Sequence, residues 1–127
     1  MKPSIVETDQ APAAIGPYAQ AIAAPPFLFL SGQLGLDPAT GELAGPDMAS
    51  QARQALANLL AVVRAGGGAL DRIAQVDVFL TDMGDFAEFN AIYADFFGDH
   101  TPARAVVEVS ALPKGACVEI KALAVLS

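Results

Sequence analysis

The sequence is short of the residues on which metal and thiol chemistry usually depend. Its 127 residues include one cysteine, Cys117, and one histidine, His100. A single cysteine cannot form an internal disulfide, and a zinc site needs two or more histidine or cysteine ligands at suitable spacing. We therefore expect no zinc site, a buried unreactive thiol at Cys117, and a solvated His100 in the polar connection after the second helix. The unpaired cysteine fits a reducing compartment, with the cytoplasm as the default.

Basic residues are also few. Lysine and arginine together number 7 against 14 aspartates and glutamates, so the net charge is −7. Proteins bind nucleic-acid phosphates and anionic membrane surfaces through lysine and arginine, so neither partner is expected. Prolines and glycines interrupt the uncharged stretch over residues 11–36, which excludes a spanning helix there.

Charged residues as a whole are scarce, at 17%, whereas 54% of the residues are hydrophobic. The length predicts one domain over residues 1–127. Monomeric proteins rarely expose large contiguous apolar patches, so this composition predicts apolar surface that is covered by other copies of the chain. We expect a homo-oligomer.

The hydrophobic pattern predicts the element order β-β-β-α-β-α-β-β. Alternating or β-rich segments predict strands over residues 4–8, 18–24, 27–31 and 70–81 and two more on either side of residues 111–115. A 3.6-residue period predicts a first helix that Asp47 caps and a triple glycine at 66–68 ends, and a second helix over 82–97 that Gly98 closes. Residues 32–45 read as an irregular loop. Two helices on one face of a largely antiparallel or mixed sheet give an α+β domain.

Two charged residues lie inside the apolar C-terminal strands, namely Arg104 and Glu119. An unpaired ion out of water is costly, so such charges pair with each other, face water, or bind a ligand. In the structural alternative Arg104 pairs with Glu108 or Glu119 and does nothing more. In the functional one, Arg104 is a planar fork for a substrate carboxylate and Glu119 is an acid/base or water-orienting group. The residues alone leave both open.

At these positions the chain resembles the RidA/YjgF family of reactive-intermediate deaminases. The family signature matches Pro102-Ala103-Arg104 and Val118-Glu119-Ile120, and further matching segments are residues 13–21, 31–33, 40–42, 51–58 and 89–93. The resemblance implies a chorismate-mutase-like fold assembled as a homotrimer, with sites in clefts between subunits. It also implies hydrolysis of 2-imino and 2-enamino acids, such as 2-aminoacrylate and 2-aminocrotonate, to 2-keto acids and ammonia, with no cofactor or metal.

The resemblance also carries over site residues. Besides Arg104 for the carboxylate and Glu119 for the water, it implies substrate contacts by Tyr18, Gly32 and Asn90. Many relatives have a cysteine where this chain has Val106, so no thiol is essential there, although the backbone of Val106 can still contact ligand. Three alternatives stay open: a non-catalytic sensor or carboxylate-binding trimer, a deaminase of another enamine such as 2-aminomuconate, and the ribonuclease or holdase roles described for some relatives.

Overall fold

Apolar residues in alternation and at helical spacing build one sheet and two helices in the computed structural model, which describes residues 2–126. The strands are β1 (Ser4–Val6), β2 (Ala21–Ala24), β3 (Phe27–Leu34), β4 (Ile73–Leu80), β5 (Ala103–Glu108) and β6 (Val118–Val125). The helices are α1 (Met48–Ala65) and α2 (Phe86–Phe97). This order confirms the predicted β-β-β-α-β-α-β-β arrangement.

The sheet is mixed. Its strand order is β1-β2-β3-β6-β4-β5, and all neighbours are antiparallel except β4 and β5. Both helices cover one face, where the cross-strand row Leu30, Ala122 and Val76 is buried. Two helices on one face of a mixed sheet confirm the α+β prediction.

Helix α1 supplies much of the core. Asp47 accepts a hydrogen bond from the Ser50 backbone N–H at 3.0 Å, which satisfies one of the donors at the helix start. The stripe that the sequence predicts as apolar is buried: Ala52, Leu56, Leu59 and Val63. Gly66 ends the helix, and Gly67 takes a positive φ of 91°. The predicted cap and glycine stop are confirmed.

Several predicted boundaries were wrong. Strand β2 begins at Ala21 rather than at residue 18, and β3 continues to Leu34, so Gly32 lies in a strand rather than in a loop. Residues 70–72 and 83–85 form 3₁₀ turns ahead of β4 and α2. A register shift at the start of β4 buries Ile73 and exposes Ala74, which the alternation had placed on the apolar face.

The face of the sheet opposite the helices, here called the open face, carries large apolar side chains that no part of residues 2–126 covers. Its most exposed members are Ile5 (65%), Phe29 (50%), Val107 (45%) and Phe27 (44%). Among residues 2–126, neither helix is long and apolar enough to cross a membrane.

Candidate functional site

Glu119 lies on the open face, in the central strand β6. It pairs across the sheet with Leu34 on one side and Phe79 on the other. The neighbouring strand β3 contains a β-bulge, because Leu30 and Gln33, three residues apart, pair with Ala122 and Ile120, two residues apart. The bulge therefore adds one residue to β3 beside Glu119.

Gly32 belongs to this bulge, and its lack of a side chain makes room for Glu119. A Cβ at position 32 would lie 2.8 Å from Cδ and 3.1 Å from Oε1 of Glu119. Such distances are well inside van der Waals contact, so any larger residue would displace the carboxyl group. The structure thus brings the predicted residues Gly32 and Glu119 into contact.

The carboxyl group of Glu119 is half-buried, and burial raises its pKa above that of an ordinary glutamate. Burial acts this way because it penalises the charged form. No neighbouring charge or hydrogen bond is among the causes of the shift. The group is therefore closer to exchanging a proton near neutral pH than a solvated glutamate is.

A cleft of about 590 Å³ opens in front of Glu119. It also contacts Tyr18 and Gly32, so three of the six predicted site residues line one cavity. The remaining lining residues are Pro12, Ala13, Ile15, Gln20, Ser31, Gln33, Leu34, Leu36, Pro113 and Lys114. A cavity of this size accommodates a small organic acid.

The segment that carries Tyr18 is fixed by hydrogen bonds from both sides. The buried amide of Gln20 accepts from the Thr8 N–H at 2.8 Å and donates to the Thr8 carbonyl at 3.0 Å. From the bulge, the Ser31 hydroxyl donates to the Ala19 carbonyl at 2.6 Å. Tyr18 itself is 53% exposed, so its ring is available to a ligand.

Arg104 lies elsewhere, on the edge strand β5 beside helix α2. Its Nη1 donates to the Asn90 side-chain oxygen at 2.8 Å. Its guanidinium carbon lies 4.7 Å from the centre of the Tyr93 ring and 5.9 Å from that of Phe86. All three groups are neutral, so the contacts made within residues 2–126 leave the charge of Arg104 uncompensated. The structure thus brings the predicted residues Arg104 and Asn90 together.

Val106 also lies on β5. Its side chain is partly buried against the core, on the helix side of the sheet. The Val109 N–H donates to the Leu80 carbonyl of β4, so the backbone N–H groups of odd-numbered residues in this segment point toward β4. Those of residues 104, 106 and 108 point the other way, out from the free edge of the sheet. The backbone N–H groups of Val106 and Arg104 therefore both point outward from β5.

Within one chain, Arg104 and Glu119 lie on opposite faces of the sheet. Glu119 shares a row with Phe79 and Val107, and Arg104 is three residues from Val107 along β5. Side chains an odd number of residues apart on a strand face opposite sides. Strand β4 also separates the two strands. One copy of the chain therefore cannot direct both groups at the same small ligand.

The structural alternative, in which Arg104 pairs with Glu108 or Glu119, is not what the structure shows. The Glu108 carboxylate accepts a hydrogen bond from the Met83 N–H at 2.8 Å instead. The surface expectation for His100 was wrong as well. Its ring is half-buried and its Nε2 donates to the Ile73 carbonyl at 2.7 Å.

Two features of the site escaped the sequence analysis. Lys114 lines the cleft, its backbone adopts a positive φ of 60°, and its Nζ donates to the Gly41 carbonyl at 3.0 Å. No local pattern signals that conformation in a lysine. Phe86 and Tyr93 were assigned only to the apolar stripe of α2, and their contact with Arg104 depends on how α2 lies over β5.

Comparison with known sequences shows that this chain is similar, over most of its length, to proteins of one family. The sequence profile described as Endoribonuclease L-PSP matches residues 8–126. A RutC family protein of Pyrococcus horikoshii is 48% identical over 120 residues, covering 94% of this chain and 95% of that protein. The 2-iminobutanoate/2-iminopropanoate deaminase of Bos taurus is 45% identical over 121 residues, covering 95% of this chain and 88% of the bovine protein.

Comparison with solved structures agrees with this. The crystal structure of E. coli TdcF with bound serine superposes with a TM-score of 0.94 at 43% sequence identity. The match covers 98% of this chain and 99% of TdcF. The similarity therefore extends over the whole sheet and both helices.

Proposed function

Because the chain belongs to the RidA/YjgF family, whose sequence profile is described as Endoribonuclease L-PSP, we propose that it hydrolyses reactive 2-imino and 2-enamino acids to 2-keto acids and ammonia. The bovine relative is named as a deaminase of 2-iminobutanoate and 2-iminopropanoate. The observation that carries the proposal is that the chain presents an arginine whose charge no contact among residues 2–126 compensates and a glutamate that is desolvated at a small cleft. Because the two groups lie on opposite faces of the sheet in one chain, the proposal brings them together from two copies.

In this proposal Arg104 binds the substrate carboxylate. A guanidinium group donates two parallel hydrogen bonds to a carboxylate, which fixes the plane of the substrate. Asn90, Tyr93 and Phe86 hold the arginine without neutralising it, so a ligand carboxylate meets no competing anion. The outward-facing amide of Val106 adds a further donor. That TdcF binds serine, an amino acid, is compatible with a carboxylate site in this family.

Glu119 acts on the water. Its carboxylate accepts one proton from the water whose oxygen bonds to the carbon of the C=N bond, while the imine nitrogen takes up a proton from solvent and the double bond becomes a single bond. Glu119 then returns its proton to the amino group of the carbinolamine. The C–N bond breaks to release ammonia, and the hydroxyl gives up its proton to solvent as the C=O bond of the keto acid forms. A positioned acid/base group contributes about 10²- to 10⁴-fold, and its pKa is best placed near the working pH. Burial raises the pKa of Glu119, which moves it from the ordinary glutamate value toward neutral pH.

We further propose that the site forms between subunits of a homotrimer with the chorismate-mutase-like arrangement. The support is that Arg104 and Glu119 face opposite sides of one sheet, so a second copy must supply one of them. The open face adds to this, since Ile5, Phe29 and Val107 are exposed there and call for a covering surface.

Replacing Arg104 tests the reaction and the carboxylate role together. We would generate 2-aminoacrylate from serine with a dehydratase in the presence of semicarbazide, which captures the imine, and measure the initial rate of capture. The wild-type protein is expected to slow capture by hydrolysing the imine first. Arg104→Ala is expected to lower kcat/KM about 10- to 100-fold, from the loss of a charge-assisted contact. If wild type leaves capture unchanged, the deaminase proposal is wrong; if Arg104→Ala retains full activity, only the role of Arg104 is wrong.

Mixing two impaired variants tests the intersubunit site. Arg104→Ala and Glu119→Gln, unfolded together and refolded as a mixture, are expected to regain about a quarter of the wild-type activity, because about one site in four then combines intact residues from two chains. Each variant refolded alone is the control. No recovery in mixed oligomers, with mixing verified by mass spectrometry, would show that both residues act from one chain.

The ribonuclease description of the family profile has less support in this chain. A surface that follows an RNA backbone needs clustered lysine and arginine, and the chain has 7 such residues against 14 acidic ones. A binding or sensor role without catalysis would appear in the assay above as affinity for a keto acid with no effect on imine capture.

A further inference from the structure

The guanidinium of Arg104 is held by a platform on one face of α2, here called the arginine platform and formed by Phe86, Asn90 and Tyr93. Asn90 and Tyr93 are three residues apart, which places them on the same side of the helix. Asn90 accepts from Nη1 at 2.8 Å, and Tyr93 presents its ring face 4.7 Å from the guanidinium carbon. Phe86, at the first position of α2, lies 5.9 Å away.

Tyr93 is the rigid part of this platform. It is 9% exposed, and its ring packs between Phe89 and Phe97, with centroids at 5.8 and 4.6 Å. Its hydroxyl is buried and has no hydrogen-bond partner among residues 2–126. Packing of the ring, rather than a hydrogen bond of the hydroxyl, therefore fixes where the Tyr93 face lies.

Arg104, by contrast, is an exposed side chain on an edge strand. A carboxylate partner would hold it but would also compete with a substrate carboxylate for the same donors. An aromatic face attracts a cation through the ring quadrupole and leaves the in-plane N–H donors unoccupied. The hydrogen bond to Asn90 uses Nη1 and leaves donors on Nε and Nη2.

We infer that Tyr93 is a positioning residue that holds the Arg104 guanidinium in the plane in which it receives the substrate carboxylate. The inference rests on the proposed function for the identity of the ligand, and it makes the Tyr93 ring a determinant of substrate affinity. The Tyr93 ring therefore affects substrate affinity and not the proton-transfer step at Glu119.

Three variants separate the ring of Tyr93 from its hydroxyl and from general packing. Tyr93→Phe retains the aromatic face, and Tyr93→Leu removes it. Phe96→Leu is the matched control, because Phe96 is a partly buried aromatic residue of the same helix whose ring packs edge-on against Phe97 rather than against Tyr93 or Arg104. The readouts are KM and kcat in the capture assay, and the dissociation constant for 2-oxobutanoate, a keto acid of the product class.

Tyr93→Leu is expected to raise KM and the 2-oxobutanoate dissociation constant about 3- to 30-fold while kcat changes less than about 2-fold. Tyr93→Phe should bind like wild type, and Phe96→Leu should lose stability without losing affinity. If Tyr93→Leu binds no more weakly than Phe96→Leu, or if Tyr93→Phe is as weak as Tyr93→Leu, the ring does not have the assigned role.

A spectroscopic measurement decides the inference independently of the reaction. The Tyr93 ring current should move the side-chain proton resonances of Arg104 upfield in wild type and in Tyr93→Phe but not in Tyr93→Leu. Absence of the upfield shift in wild type would overturn the inference and leave the deaminase proposal intact. The expected resonance shifts could also occur in a protein that neither hydrolyses imines nor binds 2-oxobutanoate. In that case the proposed function would be wrong, and so would the role of Tyr93 in substrate binding.

Discussion

Glu119→Gln is expected to lower kcat for imine hydrolysis by about 10²- to 10⁴-fold, the contribution of one positioned acid/base group. Glutamine has nearly the same shape as glutamate, so the recess against Gly32 still accommodates it. It cannot accept the proton of the attacking water. The dissociation constant for 2-oxobutanoate should change little, because the carboxylate contact belongs to Arg104.

The same variant is expected to be more stable than wild type at neutral pH. Burial raises the pKa of Glu119, so the folded state binds its proton more tightly than the unfolded chain does. Below the ordinary glutamate pKa both states are protonated and no penalty exists. As the pH rises toward the raised pKa, the unfolded chain releases its proton first, and wild type loses stability that the glutamine variant retains. The stability difference should therefore be largest at neutral pH and vanish in acid.

Thermal unfolding at pH 4 and pH 7 measures this difference, and Glu42→Gln, at an exposed loop position, is the control. An active Glu119→Gln would exclude the proton-transfer role. A variant that is inactive and also less stable at pH 7 would indicate that the carboxylate is required by the fold rather than by the reaction.

Gly35→Ala is expected to destabilise the fold by about 3 kcal/mol or more, the upper range for overpacking a core, and to lower Tm by roughly 10 °C. A Cβ at position 35 would lie 2.2 Å from the carbonyl oxygen and 2.5 Å from the Cα of Gln51. Both atoms belong to the backbone of α1, so no side-chain rotation relieves the overlap. Either the end of β3 or the helix must move.

Gly32→Ala is the matched comparison, three residues earlier in the chain and within β3. Its Cβ meets the end of the Glu119 side chain, which can rotate away, so Tm should change much less than for Gly35→Ala. Activity should nevertheless fall about 10²-fold, the effect of a displacement of about 1 Å at a reacting group. Calorimetry at one fixed protein concentration together with the capture assay distinguishes the two variants. Equal Tm values for them would contradict the backbone-clash argument.

Much of the fold could be predicted from local pattern. Local sequence is enough to predict the apolar stripe of α1, its Asp47 cap and its glycine stop, because each depends on residues close to it in the chain. The same is true of the alternation of β4 after Val76. The boundary of β2 could not be predicted, because the segment before Ala21 is held by the side chain of Gln20, which bonds the Thr8 backbone twelve residues away. Only the folded chain brings those two segments together.

The candidate site could be predicted as a set of residues but not as an arrangement. Alternation assigns Arg104 and Glu119 each to one face of its own strand. Whether those faces coincide depends on strand order and register, in particular on how β4 pairs with β6 on one side and β5 on the other. Likewise, the apolar period of α2 correctly predicts Tyr93 as buried but does not reveal that its ring face meets Arg104.

The bulge in β3 has a consequence for chain length. If either Ser31 or Gly32 were deleted, Leu30 and Gln33 would be two residues apart and would match Ala122 and Ile120 in a regular ladder, with every flanking side chain on its present face. The sheet itself therefore does not need the additional residue. What a shorter strand would lose is the recess beside Glu119 and one of the two residues that form it. Among homologous sequences, a one-residue gap at this position would mark proteins that retain the architecture and have lost the cleft.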